Sequence, residues 1–144
     1  MTASIRATAA VLVLSAALRA SPSSATNARD ASPAIQWLHD ETVARAQSRA
    51  MRKPLLIDFR ADWCAACTML DRLTWADPAV RAVVATRYVP LQLDLTAEDD
   101  AAAEVMKRYA VSSLPTVLAD RQRITGFIPA NEMLSVLKGA STQR

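Results

Sequence analysis

The run Leu55-Leu56-Ile57-Asp58-Phe59-Arg60 is apolar at four of its first five positions and does not alternate. A strand reads this way when both faces of its sheet are covered. The stretch before it has another period. Ile35, Leu38, Thr42, Ala46 and Ala50 recur every three or four residues, which predicts a helix over 34–51, ended by Lys53-Pro54. After the strand, a helix is expected from Cys64 to about Leu73. Asp77-Pro78 opens a shorter helix, with Asp77 as N-cap, proline in the first turn, and Val80, Val83 and Val84 facing inward. Tyr88 to Leu95 predicts a second strand. Thr96-Ala97-Glu98-Asp99 starts another helix, with Ala101, Val105, Met106 and Tyr109 on one face. Val117-Leu118-Ala119 is a short strand that reverses through Asp120-Arg121-Gln122 into Arg123-Ile124-Thr125-Gly126-Phe127. Asn131 is the expected cap of a last helix that buries Met133, Leu134 and Leu137.

The order α-β-α-α-β-α-β-β-α defines an α/β fold. Strands joined by a helical crossover pair in parallel, and the last two strands form a hairpin. The sum is a mixed sheet of four to five strands with helices on both faces. No internal repeat is visible.

At 144 residues, one domain is the default. The first residues follow a different pattern. Arg6 precedes the apolar stretch Ala9–Leu18, and small residues follow, with Ser23-Ser24-Ala25 as a small-x-small site. This predicts a secretory signal over 1–25 cut after Ala25, a linker over 26–33, and one domain over 34–144. The apolar centre is shorter than the roughly 20 residues that span a bilayer. An uncleaved N-terminal membrane anchor is the alternative. The chain has 17 basic and 14 acidic residues; two of the basic ones, Arg6 and Arg19, fall within the first 25, so the excess drops from three to one. With no basic stripe carrying aromatics, no nucleic-acid partner is expected.

The candidate chemistry lies at the strand-to-helix junction, Ala61-Asp62-Trp63-Cys64-Ala65-Ala66-Cys67, which holds the only two cysteines. The partial positive charge of a helix N-terminus favours a thiolate there. Zinc needs four ligands, and the chain offers no further Cys and one His, His39, on the predicted first helix, so no metal is expected. A purely structural bridge over so short a loop would remove little unfolded-state entropy. Two inert buried thiols are the remaining alternative. In an exported chain, a lone C-x-x-C pair points to a redox-active disulfide with no other cofactor. Cys64, first in the motif and nearer the helix end, is the expected nucleophile; Cys67 resolves the mixed disulfide.

Four segments carry a family resemblance: Lys53-Pro54-Leu55-Leu56-Ile57-Asp58, Ala61-Asp62-Trp63-Cys64-Ala65-Ala66-Cys67, Thr74-Trp75-Ala76-Asp77-Pro78-Ala79-Val80, and Leu114-Pro115-Thr116. Leu93-Asp94-Leu95-Thr96 and Thr125-Gly126-Phe127 echo it. Over about residues 35 to 140 the chain resembles the thioredoxin fold, and within it the C-terminal periplasmic domain of the DsbD family of thiol:disulfide interchange proteins. The resemblance implies that Asp58 serves proton transfer at Cys67, that Asp71 is a second acid near the site, and that Trp63 shields the thiols and meets partners. It also implies a cis Pro115 facing the cysteines. Leu114 would then offer backbone groups to an extended substrate segment, with Thr116 positioning the loop. A carboxylate at Asp58 on an apolar strand should have its pKa raised by burial. Trp37, Trp75 and His39 are expected to be structural.

Two departures stand out. Thr68 replaces the lysine the family usually carries after the second cysteine, and the hairpin turn lacks glycine. Family members carry this domain behind a membrane-embedded electron carrier. The implied role is a free-standing periplasmic reductase, expected to be a monomer. It would draw electrons from a separate membrane-embedded thiol protein and pass them to disulfides of exported proteins. An oxidase or isomerase, and a non-catalytic binding module on the same scaffold, are the alternatives.

Overall fold

The computed structural model describes residues 32–140. The expected signal over 1–25 lies outside these residues, as does most of the expected linker. The elements are α1 (Glu41–Met51), β1 (Leu55–Arg60), α2 (Ala65–Leu70), a π-helical turn (Asp71–Trp75), α3 (Pro78–Arg87), β2 (Val89–Asp94), α4 (Asp100–Tyr109), β3 (Thr116–Ala119), β4 (Gln122–Thr125) and α5 (Ala130–Ala140). The sheet order is β2-β1-β3-β4. β1 pairs in parallel with β2 and antiparallel with β3, and β3 and β4 form the hairpin.

β1 sits centrally, so both its faces are covered, as its continuous apolar character requires. Ile57 and Phe59 pack with Ala44 of α1 and Ala102 of α4. Leu56 points the other way and packs with Leu70, Trp75, Val80, Val84, Met133 and Leu137 from α2, the π turn, α3 and α5. Successive strand side chains alternate, so Asp58 shares this second face with Leu56.

Several boundaries differ from the sequence expectation. The first helix starts at Glu41, not 34, because the Asp40 side chain caps it by accepting from the Val43 N–H at 3.0 Å. The preceding segment is extended: Leu38 N–H donates to Pro90 O at 3.0 Å and Gln92 N–H to Leu38 O at 2.8 Å, adding a one-residue parallel bridge beside β2. His39 therefore precedes the helix, with Nδ1 3.3 Å from Gln92 O. α5 begins at Ala130, with Pro129 O accepting from Glu132 and Met133 N–H, so Asn131 lies within its first turn rather than capping it. On α4 the buried alanine is Ala102; Ala101 is exposed. Asp77 caps α3 as expected, accepting from Ala79 and Val80 N–H.

The chain has two glycines, and helix ends elsewhere use other residues in the left-handed region. Ala110 closes α4 at φ 52, ψ 42, where Cβ meets the backbone unfavourably. Ala110→Gly is expected to raise stability by about 0.5–1 kcal/mol, net of glycine's greater unfolded-state entropy. Chemical denaturation measures this; an unchanged or lower midpoint would contradict it.

Candidate active site

The last residue of β1 leads through Ala61-Asp62-Trp63 to Cys64, which caps α2. This turn is tied down from β2: Asp62 N–H donates to Thr96 Oγ1 at 2.9 Å, and Thr96 in turn hydrogen-bonds Asp94 Oδ1 through both its N–H and its hydroxyl. Cys64 and Cys67 form a disulfide with Cα atoms 5.2 Å apart. The Cys67 N–H donates to Cys64 Sγ at 3.1 Å. That contact, and the helix end behind it, stabilise negative charge on the Cys64 sulfur. Cys64 is 6% exposed and Cys67 1%, so the first cysteine is the more accessible of the two.

Leu114 packs against the cluster of Ala61, Cys64 and Cys67. The Leu114–Pro115 bond is cis. Two contacts hold this loop: Thr116 Oγ1 donates to Ser113 O at 2.8 Å, and Gly126 N–H donates to Pro115 O at 2.8 Å. Gly126 sits at φ +84, a conformation that side chains rarely allow. Trp63 is 57% exposed, so it is a surface group and not packed core. With Leu114, Met106 and Ser113 it lines a groove of about 410 Å³ beside the disulfide, whose rim carries Glu98 and Asp99.

Asp58 is 1% exposed. Gln92 faces it across the β1–β2 pair, and its Nε2 donates to Asp58 Oδ2 at 3.1 Å. Burial pushes the Asp58 pKa up to about 6; the Gln92 bond and Arg60 oppose the rise, and Asp71 adds to it. The Trp75 indole also favours the carboxylate, but without a direct hydrogen bond, since both Asp58 Oδ1 and Trp75 Nε1 lack a partner at bonding distance. Asp71 opens the π turn, where the sequence predicts uninterrupted α-helix to about Leu73. Its carboxylate lies 3.6 Å from Arg60 Nε, and burial raises its pKa while Arg60 opposes the rise. Asp71 therefore joins Asp58, Arg60 and Gln92 rather than the Trp63–Leu114 groove.

The structure thus brings the predicted residues together in two groups. Cys64 and Cys67 pack against Leu114, which lines the groove together with Trp63, and Pro115 and Thr116 follow Leu114 in the chain. Asp58 and Asp71 lie around Arg60 on the α2 side of the sheet. Sequence reasoning misses Arg60, Gln92 and the electrostatic part of Trp75. Gln92 does leave a signal, a polar residue between Leu91 and Leu93 in an apolar strand. Trp37 and Trp75 contact each other, ring edge to face at 5.4 Å.

A helix-capping C-x-x-C disulfide, a buried aspartate on the central strand and a cis-proline loop on this sheet define a thioredoxin-type dithiol protein. The chain belongs to the thioredoxin-like family, whose model matches residues 36–119. Among known proteins it is similar to the thiol:disulfide interchange protein DsbD of Haemophilus ducreyi, 38% identical over 93 residues that make up 59% of this chain and 16% of that protein. The chain thus spans about a sixth of the length of the curated relatives it matches. The DsbD C-terminal domain of Neisseria meningitidis in its oxidised form superposes with a TM-score of 0.59 at 25% identity, covering 72% of this chain and 98% of that one. A thioredoxin from Thermus thermophilus shares the fold, with a TM-score of 0.66 at 20% identity over 77% of this chain and 90% of its own. The resemblance read from the sequence, and the fold it implied, are borne out. No described helix is long and apolar enough to cross a membrane.

Proposed function

We propose that this protein is a periplasmic thiol:disulfide oxidoreductase that works as a reductase. The observation that carries the reading is the Cys64–Cys67 disulfide at the N-cap of α2, with buried Asp58 on the sheet face this helix covers. In the reduced protein, the Cys64 thiolate attacks one sulfur of a substrate disulfide. A Cys64–substrate bond forms and the other substrate sulfur leaves as a thiolate. Cys67 then loses its proton to Asp58 and attacks Cys64 Sγ. The Cys64–Cys67 bond forms, the second substrate thiolate departs, and both substrate thiolates take protons from solvent. Two electrons have passed to the substrate, and a membrane-embedded thiol protein restores the dithiol. The substrates are disulfides of exported proteins, in keeping with the likeness to DsbD. No metal or organic cofactor takes part, and the protein acts as a monomer.

Trp63 and Leu114 make the groove the docking place for the substrate segment around its disulfide, and the Leu114 backbone pairs with that segment. Trp63→Ala is expected to raise KM for a disulfide-bonded protein about tenfold while changing the rate with a small aromatic disulfide less than twofold. Equal losses with both substrates would contradict a docking role. The reading as a whole is tested by turnover of a disulfide-bonded protein with dithiothreitol as donor; no acceleration over dithiothreitol alone would overturn it.

A further inference from the structure

The groove beside the disulfide has an apolar floor and an acidic edge. Trp63, Leu95, Ala102, Met106 and Leu114 supply the floor, Glu98 and Asp99 stand at the rim, and no lysine or arginine lines it. Asp100 follows, exposed, as the first residue of α4. The acidity is local, since the whole chain carries 17 basic residues against 14 acidic ones.

Helix formation accounts for two of these acids. Asp99 caps α4 by accepting from the Ala102 N–H at 2.8 Å, and Asp100 lies in the first turn, where a helix favours negative charge. Glu98 serves no such purpose. It precedes the cap, is exposed, and sits at φ 50, in the left-handed region. Glu98, Asp99 and Asp100 form no ion pair among the described residues. Asp62 and Asp94, by contrast, are both held by Arg60, at 2.9 Å and 3.4 Å.

We propose that this rim selects substrates by charge: the groove takes polypeptide segments that carry lysine or arginine within about four residues of the disulfide cysteine, a span set by the advance of about 3.3 Å per residue in an extended chain. This rests on the reading of the groove as the docking place of a reductase's substrate and adds which segments it takes. A segment whose cysteine is bonded to Cys64 runs past Trp63 and Leu114, and its neighbouring side chains reach the rim. A cation there meets carboxylates with no ion pair to break first. The aliphatic stems of lysine and arginine cover the apolar floor while their charged ends reach Glu98 and Asp99. An acidic segment would bring like charges together. Contacts between exposed charges are individually modest and screened by salt, so the preference acts through KM and fades at high ionic strength.

The test compares two peptide disulfides that differ only in carrying lysine or glutamate on both sides of the cysteine. The full chain reduces each, with dithiothreitol as an uncharged donor. Each kcat/KM is divided by the rate constant for dithiothreitol alone, which removes the effect of flanking charge on the disulfide itself. The lysine peptide should be favoured about tenfold at about 20 mM salt, through KM, and less than about twofold at about 0.5 M. Glu98→Lys should cut the low-salt preference to about twofold or less. Asp120→Lys makes the same change of charge at the far end of the sheet, where the Asp120 N–H meets Leu55 O, and should leave the preference near its wild-type value. Equal values for the two peptides at low salt, or a preference that Glu98→Lys leaves intact, would overturn the proposal. Turnover of neither peptide would instead overturn the reductase reading, and the proposal with it.

Discussion

Cys67→Ser is expected to stop turnover and leave substrate covalently attached at Cys64, while Cys64→Ser stops turnover with nothing attached. Each loss should be about a thousandfold or more, since the two sulfurs act as a unit and neither can complete the cycle alone. The asymmetry in trapping follows from local structure. Cys64 is the more exposed sulfur, caps α2, and receives the Cys67 N–H at 3.1 Å. Each feature favours a thiolate at Cys64. Cys67, at 1% exposed, cannot be reached by a folded partner before Cys64 is. Intact-mass measurement after mixing each variant with a disulfide-bonded protein reads this directly. An adduct on Cys64→Ser rather than on Cys67→Ser would reverse the assignment of nucleophile and resolver.

Asp58→Asn should have two effects, one kinetic and one on stability. With the acceptor for the Cys67 proton gone, resolution of the mixed disulfide is expected to slow about a hundredfold, the usual scale for a lost general base. The stability effect has the opposite sign. The Asp58 pKa is about 6 in the folded oxidised protein against an ordinary 3.8. An acid whose folded pKa is raised binds its proton more tightly when folded. Its protonation therefore stabilises the fold most below about pH 4, and that contribution is lost as pH rises through 6. At 1.36 kcal/mol for each pKa step, the gap corresponds to about 3 kcal/mol, and Asp58 is buried well enough for solvent not to screen it. The asparagine amide does not ionise, so at pH 7 the variant should be more stable than the wild type by about 2–3 kcal/mol, with no such slope between pH 4 and 6. Denaturant unfolding across that range measures both curves. A wild-type curve flat from pH 4 to 6.5 would mean that Asp58 stays ionised in the fold.

The parts of this fold legible in the sequence are those with a local physical cause. The central strand is visible because burial on both faces leaves a continuous apolar run, and α3 because Asp77-Pro78 is a cap followed by a residue suited to a first turn. The start of α1 is hidden because Ile35 and Leu38 happen to continue the helical period. What decides their conformation is the backbone pairing of Leu38 with Pro90 and Gln92, on a strand distant in sequence. The π turn carries no signal either, since the residues of Asp71–Trp75 suit an α-helix equally well.

The site divides the same way. Cys64, Cys67, Trp63 and the Leu114-Pro115-Thr116 loop are contiguous motifs that can be read directly. The surroundings of Asp58 cannot. Gln92 reaches it through strand register, and Arg60, Asp71 and Trp75 through the packing of the π turn on β1. Asp71 keeps helical geometry, its N–H bonded to Cys67 O, and sits two turns beyond Cys64, at a cavity lined by Arg60 and Trp75 rather than at the thiols.

The central claim is that the Cys64/Cys67 pair gives electrons away. The reduction potential of the domain tests it most directly, by equilibration against graded dithiothreitol or glutathione ratios and alkylation of free thiols. The account predicts a value between roughly −270 mV and −230 mV, where a dithiol reduces most substrate disulfides and depends on a donor for its own renewal. A value between roughly −180 mV and −120 mV would contradict it, because a pair so poised takes electrons and makes disulfides.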